Sequence, residues 1–415
     1  MHHIALTKKD KLVSQIIARE EKRQEEELEL IASENYVSPA VLEALGTVLT
    51  NKYSEGTPGH RYYGGNQVID EMEVLAVARL KKIFGAEHAN VQPLSGSPAN
   101  AAVYMAFLKP GDKILGLKLD HGGHLSHGHP VNFSGMLYNF VQYEVDAKTG
   151  KIDMNAVRKL AKKEKPKMIV AGYSAYSREI DWQEFKKIAD EVGAYTFADI
   201  AHTAGLIAAK CLKNPVPYFD VVSTTTHKTL RGPRGAVIMC KEKFAKIVDR
   251  AVFPGMQGGP HNHMTAAKAV AFGEVLDKSF KTYAKQVIKN SKTLAQEFLK
   301  KGYNIVSGGT DNHLFVLDLQ NKSIGGHDAE TILESVGISV SRSTIPNDPK
   351  SPMNPSGVRI GTPAATTRGM KEKEMKQIAA WIHEAFENKD DKKVLAKIKK
   401  EVKEMCLKFP VPGKK

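Results

Sequence analysis

The chain has 415 residues, a formal net charge of +14, and 42% hydrophobic and 26% charged residues. This length predicts two domains, or a large domain with a smaller one, and the composition is typical of a globular protein. Three scattered cysteines without a C-x-x-C spacing argue against a disulfide framework and indicate a reducing, cytoplasmic setting. The longest stretch without Asp, Glu, Lys or Arg is His121–Tyr143, which is rich in His, Gly and Asn, so we expect no membrane span. No apolar segment of the signal-peptide kind precedes Lys8, and we expect no secretion.

The amino-terminal part of the chain is predicted to be helical. The segment Asp10–Leu30 is strongly charged and predicts an amphipathic helix. Its apolar residues at helical spacing include Leu12, Ile16 and Ile17. A loop follows, and a further helix is expected to begin at Pro39, since proline is favoured at the first helical position.

From Ala89 onwards, short apolar segments alternate with helical ones. Strands are predicted at NVQPL, KILGL, MIVAGYS, AYTFAD, FDVVS and AVIMC, and helices at AAVYMAFL and DWQEFKKIADEVG, the second ended by Gly193. This alternation predicts an α/β domain over residues 1–278, with an N-terminal arm and a mostly parallel sheet sandwiched by helices. In such sheets, ligands bind beyond the carboxyl ends of the strands.

The pattern changes after Lys278. A long helical segment, SFKTYAKQVIKNSKTLAQEFLKKG, precedes short strands at HLFVLDL and GVRIGT and two further helices. We therefore expect a smaller α+β domain over residues 279–415. The apolar residues that repeat at helical spacing in its last helix are Val394, Ile398, Val402 and Met405.

The segment Ser223–Gly235, STTTHKTLRGPRG, places a lysine just after the apolar run YFDVV. A lysine at the end of a buried strand is unusual, and it is either a paired structural charge or a reactive amine. Lys228 has His227, Arg231 and Arg234 close to it in sequence. Burial or cationic neighbours lower the pKa of a lysine and allow it to form a Schiff base with a carbonyl compound.

Two further segments at predicted strand ends carry matching chemistry. In LSGSPAN, Ser95, Gly96 and Ser97 open a helix whose N-terminus can bind a phosphate, although ordinary helix capping also explains them. In FADIAH, Asp199 either caps a helix or pairs with a cationic ring nitrogen. A phosphate cradle, an acid for a ring nitrogen and a lysine, each at a strand end, are what pyridoxal phosphate requires. The cradle matches neither G-x-G-x-x-G nor the P-loop motif, which argues against a dinucleotide or ATP site.

Three other groups of residues are candidates for a binding site, and each also has an alternative interpretation. Arg359 in SGVRIGTPA predicts either a bidentate clamp on an amino-acid carboxylate or an internal ion pair. The segment NKYSEGTPGHRYYGG is a polar, aromatic loop that either lines a binding site or forms a plain turn. The histidines of a glycine-rich loop could suggest a metal, but we favour one ring stacked on a flat cofactor and expect no metal. They are His121, His124, His127 and His129.

Long motifs in a common order make the chain resemble the serine hydroxymethyltransferases. They are ASENYVSPAV, NKYSEGTPGHRYYGG, HGGHLSHG, HKTLRGPRG and FPGMQGGPHNH, and the resemblance runs from about Leu30 to about Gly369. It implies a fold-type I pyridoxal-phosphate transferase that interconverts L-serine and glycine. The one-carbon unit would pass to tetrahydrofolate and give 5,10-methylenetetrahydrofolate. The resemblance also implies a homodimer with shared active sites.

The resemblance further implies a role for each matching residue. Lys228 would hold the cofactor covalently, Asp199 would bind its pyridine nitrogen, and His124 would stack on its ring. His202 would contact the ring hydroxyl of the cofactor. The other cofactor-binding residues implied are Ser95, Gly96, Ser97, Ser174, His227 and Gly259. The residues implied for the substrate, some of them also catalytic, are Ser33, Arg359, Tyr53, Glu55 and Tyr63, of which the last three would come from the neighbouring subunit, as would Gly259. The residues implied for folate are Leu119, Gly123, Leu125 and Ser343.

The chain departs from the family pattern at several positions. Four of them are Leu94, Pro98, Thr57 and His60. In addition, the family's Asn-Lys-Asn before an Ile-Pro dipeptide is replaced by SRS at Ser341–Ser343. The second asparagine of that trio contacts the folate pterin in the family, whereas the catalytic set is intact here. We therefore expect the departure to affect folate affinity.

Two alternatives remain open from the sequence. A pyridoxal-phosphate aldolase acting on β-hydroxy amino acids without folate would share most of the chemistry. A basic RNA-binding protein that kept an enzyme fold is the other, since Asn388–Lys415 holds ten lysines against four acids. No aromatic-interleaved RNA motif supports that alternative, so we expect no nucleic-acid partner. A hydrolase is disfavoured because G-x-S-x-G does not occur.

Overall fold

The computed structural model describes residues 4–413. Its α-helices are α1 (Ile4–Lys9), α2 (Lys11–Glu26), α3 (Pro39–Leu45), α4 (Gln67–Phe84), α5 (Gly96–Phe107), α6 (Phe133–Leu137), α7 (Met154–Glu164), α8 (Trp182–Val192), α9 (Ala204–Ala208), α10 (Ala245–Arg250), α11 (Asn262–Val275), α12 (Lys278–Lys300), α13 (Gly326–Ser335), α14 (Pro363–Thr367), α15 (Glu372–Glu387) and α16 (Lys392–Lys408). Its strands are β1 (Leu28–Glu29), β2 (Gly56–Thr57), β3 (His60–Arg61), β4 (His88–Asn90), β5 (Lys113–Leu117), β6 (Asn139–Tyr143), β7 (Met168–Gly172), β8 (Tyr195–Asp199), β9 (Val221–Thr225), β10 (Ala236–Cys240), β11 (Asn304–Ile305), β12 (Leu314–Asp318), β13 (Ile338–Ser339), β14 (Ser341–Ser343) and β15 (Gly357–Gly361). Within this described range, every helix is too short or too polar to cross a lipid bilayer.

Seven strands form the large sheet in the spatial order β4, β10, β9, β8, β7, β5, β6. The strands from β5 to β9 are parallel, whereas β10 runs antiparallel to both of its neighbours, β9 and β4. All strands of the sheet except β10 therefore end along one edge. The predicted α/β fold with a mostly parallel sheet is confirmed, and in such sheets this edge is where ligands bind.

Helices cover both faces of the large sheet, which explains why its central strands are continuously apolar. Along β7, Ile169 and Ala171 join one buried cluster, and Met168 and Val170 join another. Strand side chains alternate between the two faces, so all five residues of β7 are buried.

The segment NVQPL is a strand only at its first residue, since β4 ends at Asn90. A longer strand would continue the backbone hydrogen bonds between β4 and β10 beyond Asn90. In this segment the ammonium group of the buried Lys268 binds backbone carbonyl oxygens. Its Nζ donates to the carbonyl oxygens of Val91 at 2.6 Å, Pro93 at 3.0 Å and Ala236 at 3.0 Å. The strand prediction is therefore wrong after Asn90, where the Gln92 amide donates to Asn90 Oδ1 and Lys268 binds the carbonyl oxygens of Val91 and Pro93.

A second sheet has four antiparallel strands in the order β11, β12, β15, β14. Residues of α12, α13, α15 and α16 share one buried apolar cluster with β12 and β15. The predicted strands HLFVLDL and GVRIGT correspond to β12 and β15. The predicted last helix is confirmed as α16, in which Ile398 and Val402 are buried. Val394 and Met405 pack, partly buried, against the same cluster.

The N-terminal segment packs with the C-terminal part of the chain. Strand β1 pairs in parallel with β13, and Leu28 and Leu30 are buried in the cluster of the second sheet. The N-terminal helix predicted over Asp10–Leu30 is present as α2, but it ends at Glu26, and the expected end is wrong because Leu28–Glu29 pair with β13 as β1. None of the residues of α2 is buried, and Leu12 is 74% exposed. The domain boundary after residue 278 stays a prediction.

Helix ends follow local sequence signals. Ser38 caps α3 by accepting a hydrogen bond from the Val41 amide, and Pro39 is the first helical residue, as predicted. Gly193 ends α8 with a φ of 71°, a left-handed conformation that favours glycine, which confirms the predicted end of this helix.

Candidate active site

A cavity of about 380 Å³ lies at the carboxyl edge of the large sheet. The predicted site residues that line it are Ser33, Ser95, Gly96, Ser97, His124, Ser174, Asp199, His202, His227, Lys228 and Arg359. It is also lined by Asn100, Tyr173, Ala201, Thr225 and Arg234. The predicted site residues that do not line it are Tyr53, Glu55, Tyr63, Gly259, Leu119, Gly123, Leu125 and Ser343.

Lys228 lies inside this cavity just beyond β9 and is 8% exposed. Burial lowers the pKa of Lys228 to about 8; the Arg359 and Arg234 cations act in the same direction, against the Asp199 carboxylate. No ion pair to Lys228 exists among residues 4–413. A lysine that is partly uncharged near neutral pH matches the reactive-amine interpretation better than the paired structural charge.

Asp199 ends β8 and is held by three donors. Its Oδ2 accepts hydrogen bonds from Asn100 Nδ2 at 2.8 Å and His127 Nε2 at 3.1 Å. Its Oδ1 accepts one from the Ala201 amide at 3.0 Å. Burial alone would raise the pKa of Asp199, but the hydrogen bonds from His127 and Asn100 hold it well below its usual value. This ionised, oriented carboxylate can bind the protonated nitrogen of a heteroaromatic ring.

The start of α5 carries unused hydrogen-bonding groups. Ser95 is the N-cap of this twelve-residue helix, yet its hydroxyl makes no capping hydrogen bond. A Cβ atom at Gly96 would lie 2.8 Å from Thr225 Cγ2, so only glycine allows the helix start to lie this close to β9. The buried Nδ1 of His227, which also lines the cavity, has no hydrogen-bond partner in the described part of the chain. A helix N-terminus with these free groups fits a phosphate.

His124 presents a neutral ring to the cavity. Its Nδ1 accepts a hydrogen bond from the Ser126 amide at 3.1 Å and lies 2.7 Å from Ser126 Oγ. Burial lowers the pKa of His124 to about 4, so the ring is uncharged near neutral pH. Because Nδ1 accepts the amide proton, the ring proton resides on Nε2. Such a flat, uncharged ring can stack on a planar cofactor.

Arg359 reaches the cavity from β15 of the second, four-stranded sheet. Its Nη1 donates to the Ser174 carbonyl at 2.8 Å, whereas its buried Nε has no partner among the described residues. No acid pairs with it in that part of the chain, which disfavours the internal ion pair considered from the sequence. Burial lowers the pKa of Arg359 to about 10, so the guanidinium stays charged and can bind a carboxylate.

A close backbone contact brings Ser33 to the same cavity. The Gly361 amide donates to the Leu30 carbonyl at 2.8 Å, and a Cβ atom at Gly361 would lie 2.4 Å from Ala32 Cα. Glycine at the end of β15 therefore permits the segment before Ser33 to lie against the strand that carries Arg359.

Tyr53, Glu55, Tyr63 and Gly259 form a second group outside the cavity, which we name the exposed tyrosine cluster. The rings of Tyr53 and Tyr63 are 5.1 Å apart between centroids and are 54% and 49% exposed. Tyr53 Oη lies 3.3 Å from Glu55 Oε1, and a Cβ atom at Gly259 would lie 3.1 Å from Tyr53 Cε1. These residues meet one another but not Lys228 of the same chain.

The loop that carries Tyr53, Glu55 and Tyr63 is anchored by the side chain of Arg61. Arg61 forms ion pairs with Asp70 at 2.8 Å and Glu73 at 2.7 Å. The same guanidinium donates to the carbonyl oxygens of Ser54 at 2.9 Å and Gly56 at 2.8 Å. This side chain is 4% exposed, so its bonds anchor the backbone of the loop away from water, while Tyr53 and Tyr63 are exposed.

The residues predicted for folate lie on two segments outside the cavity lining. Leu119, Gly123 and Leu125 belong to the loop after β5, and Ser343 ends β14. Asn347, which follows β14 closely, lies beside the ring of His121 in that loop. The two segments therefore approach each other.

The hydroxyl of Ser343 is engaged locally. Ser343 Oγ donates to the Thr344 carbonyl at 3.1 Å. The neighbouring Arg342 is held elsewhere, with its Nη1 at 3.1 Å from His327 Nδ1 and donating to the Met353 carbonyl at 3.2 Å. Neither side chain supplies the pair of amide donors and acceptors that an asparagine would offer at this position.

The histidines with metal-like spacing do not converge as a group. His121 Nδ1 accepts a hydrogen bond from Val145, whereas His124, His127 and Asp199 place possible ligand atoms within 4.8 Å of one another. The ligand atoms of Asp199 are already engaged by hydrogen-bond donors, and so is His124 Nδ1. This favours a hydrogen-bonded carboxylate over a metal centre, and the absence of a metal stays a prediction.

Sequence reasoning missed some residues that the structure places at the site. Asn100 bridges Asp199 and Ser223, whose Oγ donates to Asn100 Oδ1 at 2.7 Å. Asn100 follows Gly96 by one helical turn, a spacing that could have revealed it. His127 was considered as a metal ligand or as a ring stacked on the cofactor, and nothing in the local sequence indicates its contact with Asp199.

The mostly parallel sheet, with a buried lysine, a held aspartate and a helix N-terminus at its carboxyl edge, has the arrangement that a fold-type I pyridoxal-phosphate enzyme requires. The family model of serine hydroxymethyltransferase matches residues 6–382. The chain therefore belongs to the serine hydroxymethyltransferase family. Members of this family depend on pyridoxal phosphate, and the protein is an enzyme of the transferase or aldolase type.

Proposed function

We propose that this protein is a glycine hydroxymethyltransferase. It interconverts L-serine and glycine and transfers the one-carbon unit to tetrahydrofolate, giving 5,10-methylenetetrahydrofolate. The observation that supports this most is one cavity that joins Lys228, with a pKa lowered to about 8, Asp199 and the unpaired Arg359. An amine, a ring-binding carboxylate and a carboxylate-binding cation are the groups that amino-acid chemistry on pyridoxal phosphate needs.

The cavity residues fit pyridoxal phosphate. Lys228 would hold it covalently through the ε-amine, and Asp199 would bind the pyridine nitrogen and keep it protonated. The phosphate would lie at the start of α5, where the Ser95 hydroxyl and His227 Nδ1 are free. His124 would cover one ring face. The remaining proposed cofactor ligands are Gly96, Ser97, Ser174, His202 and Gly259.

Bound pyridoxal phosphate supplies a cationic ring that withdraws electron density from the substrate α-carbon, so that formaldehyde can leave serine or a proton can leave glycine. Arg359 and Ser33 bind the substrate carboxylate and orient the bond to be broken. The charged guanidinium makes two parallel hydrogen bonds to a carboxylate, which sets direction as well as affinity.

The exposed tyrosine cluster completes the site of a second subunit. Tyr53, Glu55 and Tyr63 are exposed on a loop held by Arg61, which suits residues that must reach across an interface without rearrangement. Glu55 would accept or return the proton of the substrate hydroxyl, as the family resemblance implies, and its carboxylate lies 3.3 Å from Tyr53 Oη of the same loop. In this homodimer Gly259 also reaches the partner's cofactor.

A folate-independent aldolase acting on β-hydroxy amino acids is the second candidate. It is favoured by one observation, the short Ser343 side chain, whose hydroxyl donates to the Thr344 carbonyl. Leu119, Gly123 and Leu125 would contact the pterin in a folate enzyme, and Ser343 would weaken that contact.

Serine cleavage with and without tetrahydrofolate separates the two candidates. We expect the purified, pyridoxal-phosphate-loaded protein to form glycine from L-serine much faster with tetrahydrofolate, and its visible spectrum to change when glycine and folate are added together. Cleavage of serine at the same rate without folate would contradict the transferase. Borohydride reduction and peptide mapping should place the cofactor on Lys228, and a label on another lysine would contradict the site.

A further inference from the structure

Two buried histidines meet at one wall of the cavity. His202 follows β8 and lines the cavity, and His313 precedes β12 of the second, four-stranded sheet. His202 Nδ1 lies 3.2 Å from His313 Nε2, and the rings meet edge to edge, with 5.4 Å between centroids and 28° between planes. Their exposures are 3% and 0%. The hydrogen bond therefore links the two sheets beside the proposed cofactor.

Both rings carry one proton each. Burial lowers the pKa of His202 well below its usual value and that of His313 to about 3; the Lys228 and Arg359 cations act in the same direction. Two neutral rings that share one hydrogen bond leave two arrangements, which differ in which ring donates.

The two arrangements leave different atoms unsatisfied. His313 Nδ1 is buried and has no hydrogen-bond partner among the described residues. If His202 donated, this atom would be an N–H buried without an acceptor, while His202 Nε2 would face the cavity without a proton. If His313 donates from Nε2 to His202 Nδ1, His313 Nδ1 is an acceptor without a donor, and the ring proton of His202 resides on Nε2. Buried donors without partners are rarer in proteins than under-used acceptors, which favours the second arrangement.

We propose that His313 is a positioning residue that donates its Nε2 proton to His202 Nδ1 and thereby fixes the proton of His202 on Nε2. His202 then presents a hydrogen-bond donor to the cavity. Under the proposed function, on which only this last step rests, the acceptor is the ring oxygen of pyridoxal phosphate in its anionic form.

Backbone contacts hold the two histidines in place. The hydroxyl of Thr229 donates to the His202 carbonyl at 2.8 Å, and the Thr362 amide donates to the His313 carbonyl at 3.0 Å. Next to His313, Asn312 Nδ2 donates to Tyr173 Oη at 3.0 Å. The His313 carbonyl and the side chain of the adjacent Asn312 are therefore both engaged, and a ring positioned in this way can impose one tautomer on its neighbour.

The tautomer can be measured without the cofactor. Nitrogen-15 NMR of histidine-labelled, cofactor-free protein, with the signals assigned through His202→Gln, should show the His202 proton on Nε2. A proton on Nδ1 in the unaltered protein would overturn the proposal by itself, even if no variant folded. In His313→Leu, the ring proton of His202 should no longer be confined to Nε2. In His313→Gln, whose amide nitrogen can replace the imidazole donor, it should again reside on Nε2. An unchanged tautomer in a folded His313→Leu would also overturn the proposal.

The loaded protein provides a second readout. A donor stabilises the anionic ring oxygen, so its loss in His313→Leu should raise the pH at which the visible absorbance of the bound cofactor changes, by about one unit. His313→Gln should return it, and His383→Leu, the same change at a histidine on α15, should leave it unaltered. No shift in His313→Leu would refute the link to the cofactor. If no pyridoxal phosphate binds at all, the proposed function fails, whereas the NMR result still decides the role of His313.

Discussion

The cavity at the carboxyl edge of the large sheet and the exposed tyrosine cluster differ in how complete they are. In the cavity, Asp199 has three donors and Lys228 is 8% exposed, so each charged group has a defined setting within one chain. In the cluster, the loop is anchored by Arg61, yet Tyr53 remains 54% exposed. Both regions carry long family motifs. In the proposed homodimer, residues recognised together in the sequence would serve two different copies of the fold.

Mixed dimers test this comparison with the largest expected effect. Lys228→Ala and Tyr53→Ala proteins should each be nearly inactive, because each proposed homodimer would lack one group in both sites. After subunit exchange, one site of each hybrid has both groups intact, so an equal mixture should recover about a quarter of the unaltered activity. The measurement is the rate of glycine formation from L-serine, after mass spectrometry of the intact dimers has shown that the subunits have exchanged.

The control for mixed dimers pairs two cavity residues. Lys228→Ala mixed with Arg359→Ala should recover nothing, because both residues line the same cavity of one chain. Equal recovery in both mixtures, or none in either, would remove the distinction between the two regions.

Arg359→Lys should weaken glycine binding by about tenfold to a hundredfold, because lysine cannot make the two parallel hydrogen bonds of a guanidinium. The dissociation constant follows from the change in visible absorbance of the loaded protein on adding glycine. Arg342→Lys, the same change on the neighbouring strand β14 at an exposed site, should have no such effect. Equal glycine affinity in the two variants would contradict the proposed role of Arg359.

The low pKa of Lys228 predicts how cofactor uptake depends on pH. The neutral amine is the reactive form, and burial lowers its pKa to about 8. The rate constant for uptake of pyridoxal phosphate by the cofactor-free protein should therefore rise by up to about tenfold per pH unit below that value and level off above it. Stopped-flow absorbance can follow this, with a lysine peptide as the control amine. A rate that keeps rising in parallel with the peptide would show that burial does not activate Lys228.

The smallest predicted effect concerns Ser343. Ser343→Asn should tighten tetrahydrofolate binding by about twofold to tenfold, because the amide can both donate to and accept from a pterin edge. The affinity for glycine alone should not change. Ser351→Asn, the same change at an exposed loop residue, is the control for the titration. Unchanged or weaker folate binding would mean that neighbouring residues are already adapted to the serine.

Local patterns predicted most of the elements that carry the cavity. KILGL and AVIMC coincide with β5 and β10, AYTFAD contains β8 and the residue before it, and FDVVS and MIVAGYS contain most of β9 and all of β7. Strand β6 and helix α7 were not predicted. Four residues of the edge strand β6 are not fully buried, so its sequence lacks the continuous apolar run of the central strands.

Contacts across the fold account for what the patterns missed. The backbone after Asn90 is bound by Lys268, which lies on α11 and leaves no signal in the NVQPL segment. The apolar residues of α2 predict a buried face, but Leu12 and Ile16 are exposed. An amphipathic pattern shows that a helix has an apolar side, but it does not show what covers that side.

The sequence by itself determined the α/β order of elements, the kinds of groups available and the motifs that mark the family. Those signals act over a few residues, because capping, alternation and helical spacing are local. The tertiary structure alone decided which groups meet: Asn100 with Asp199, Arg359 with Ser174, and His202 with His313, pairs separated by 99, 185 and 111 residues. It also decided which groups are charged, since the pKa values of Lys228 and Asp199 depend on burial and on partners brought from distant segments.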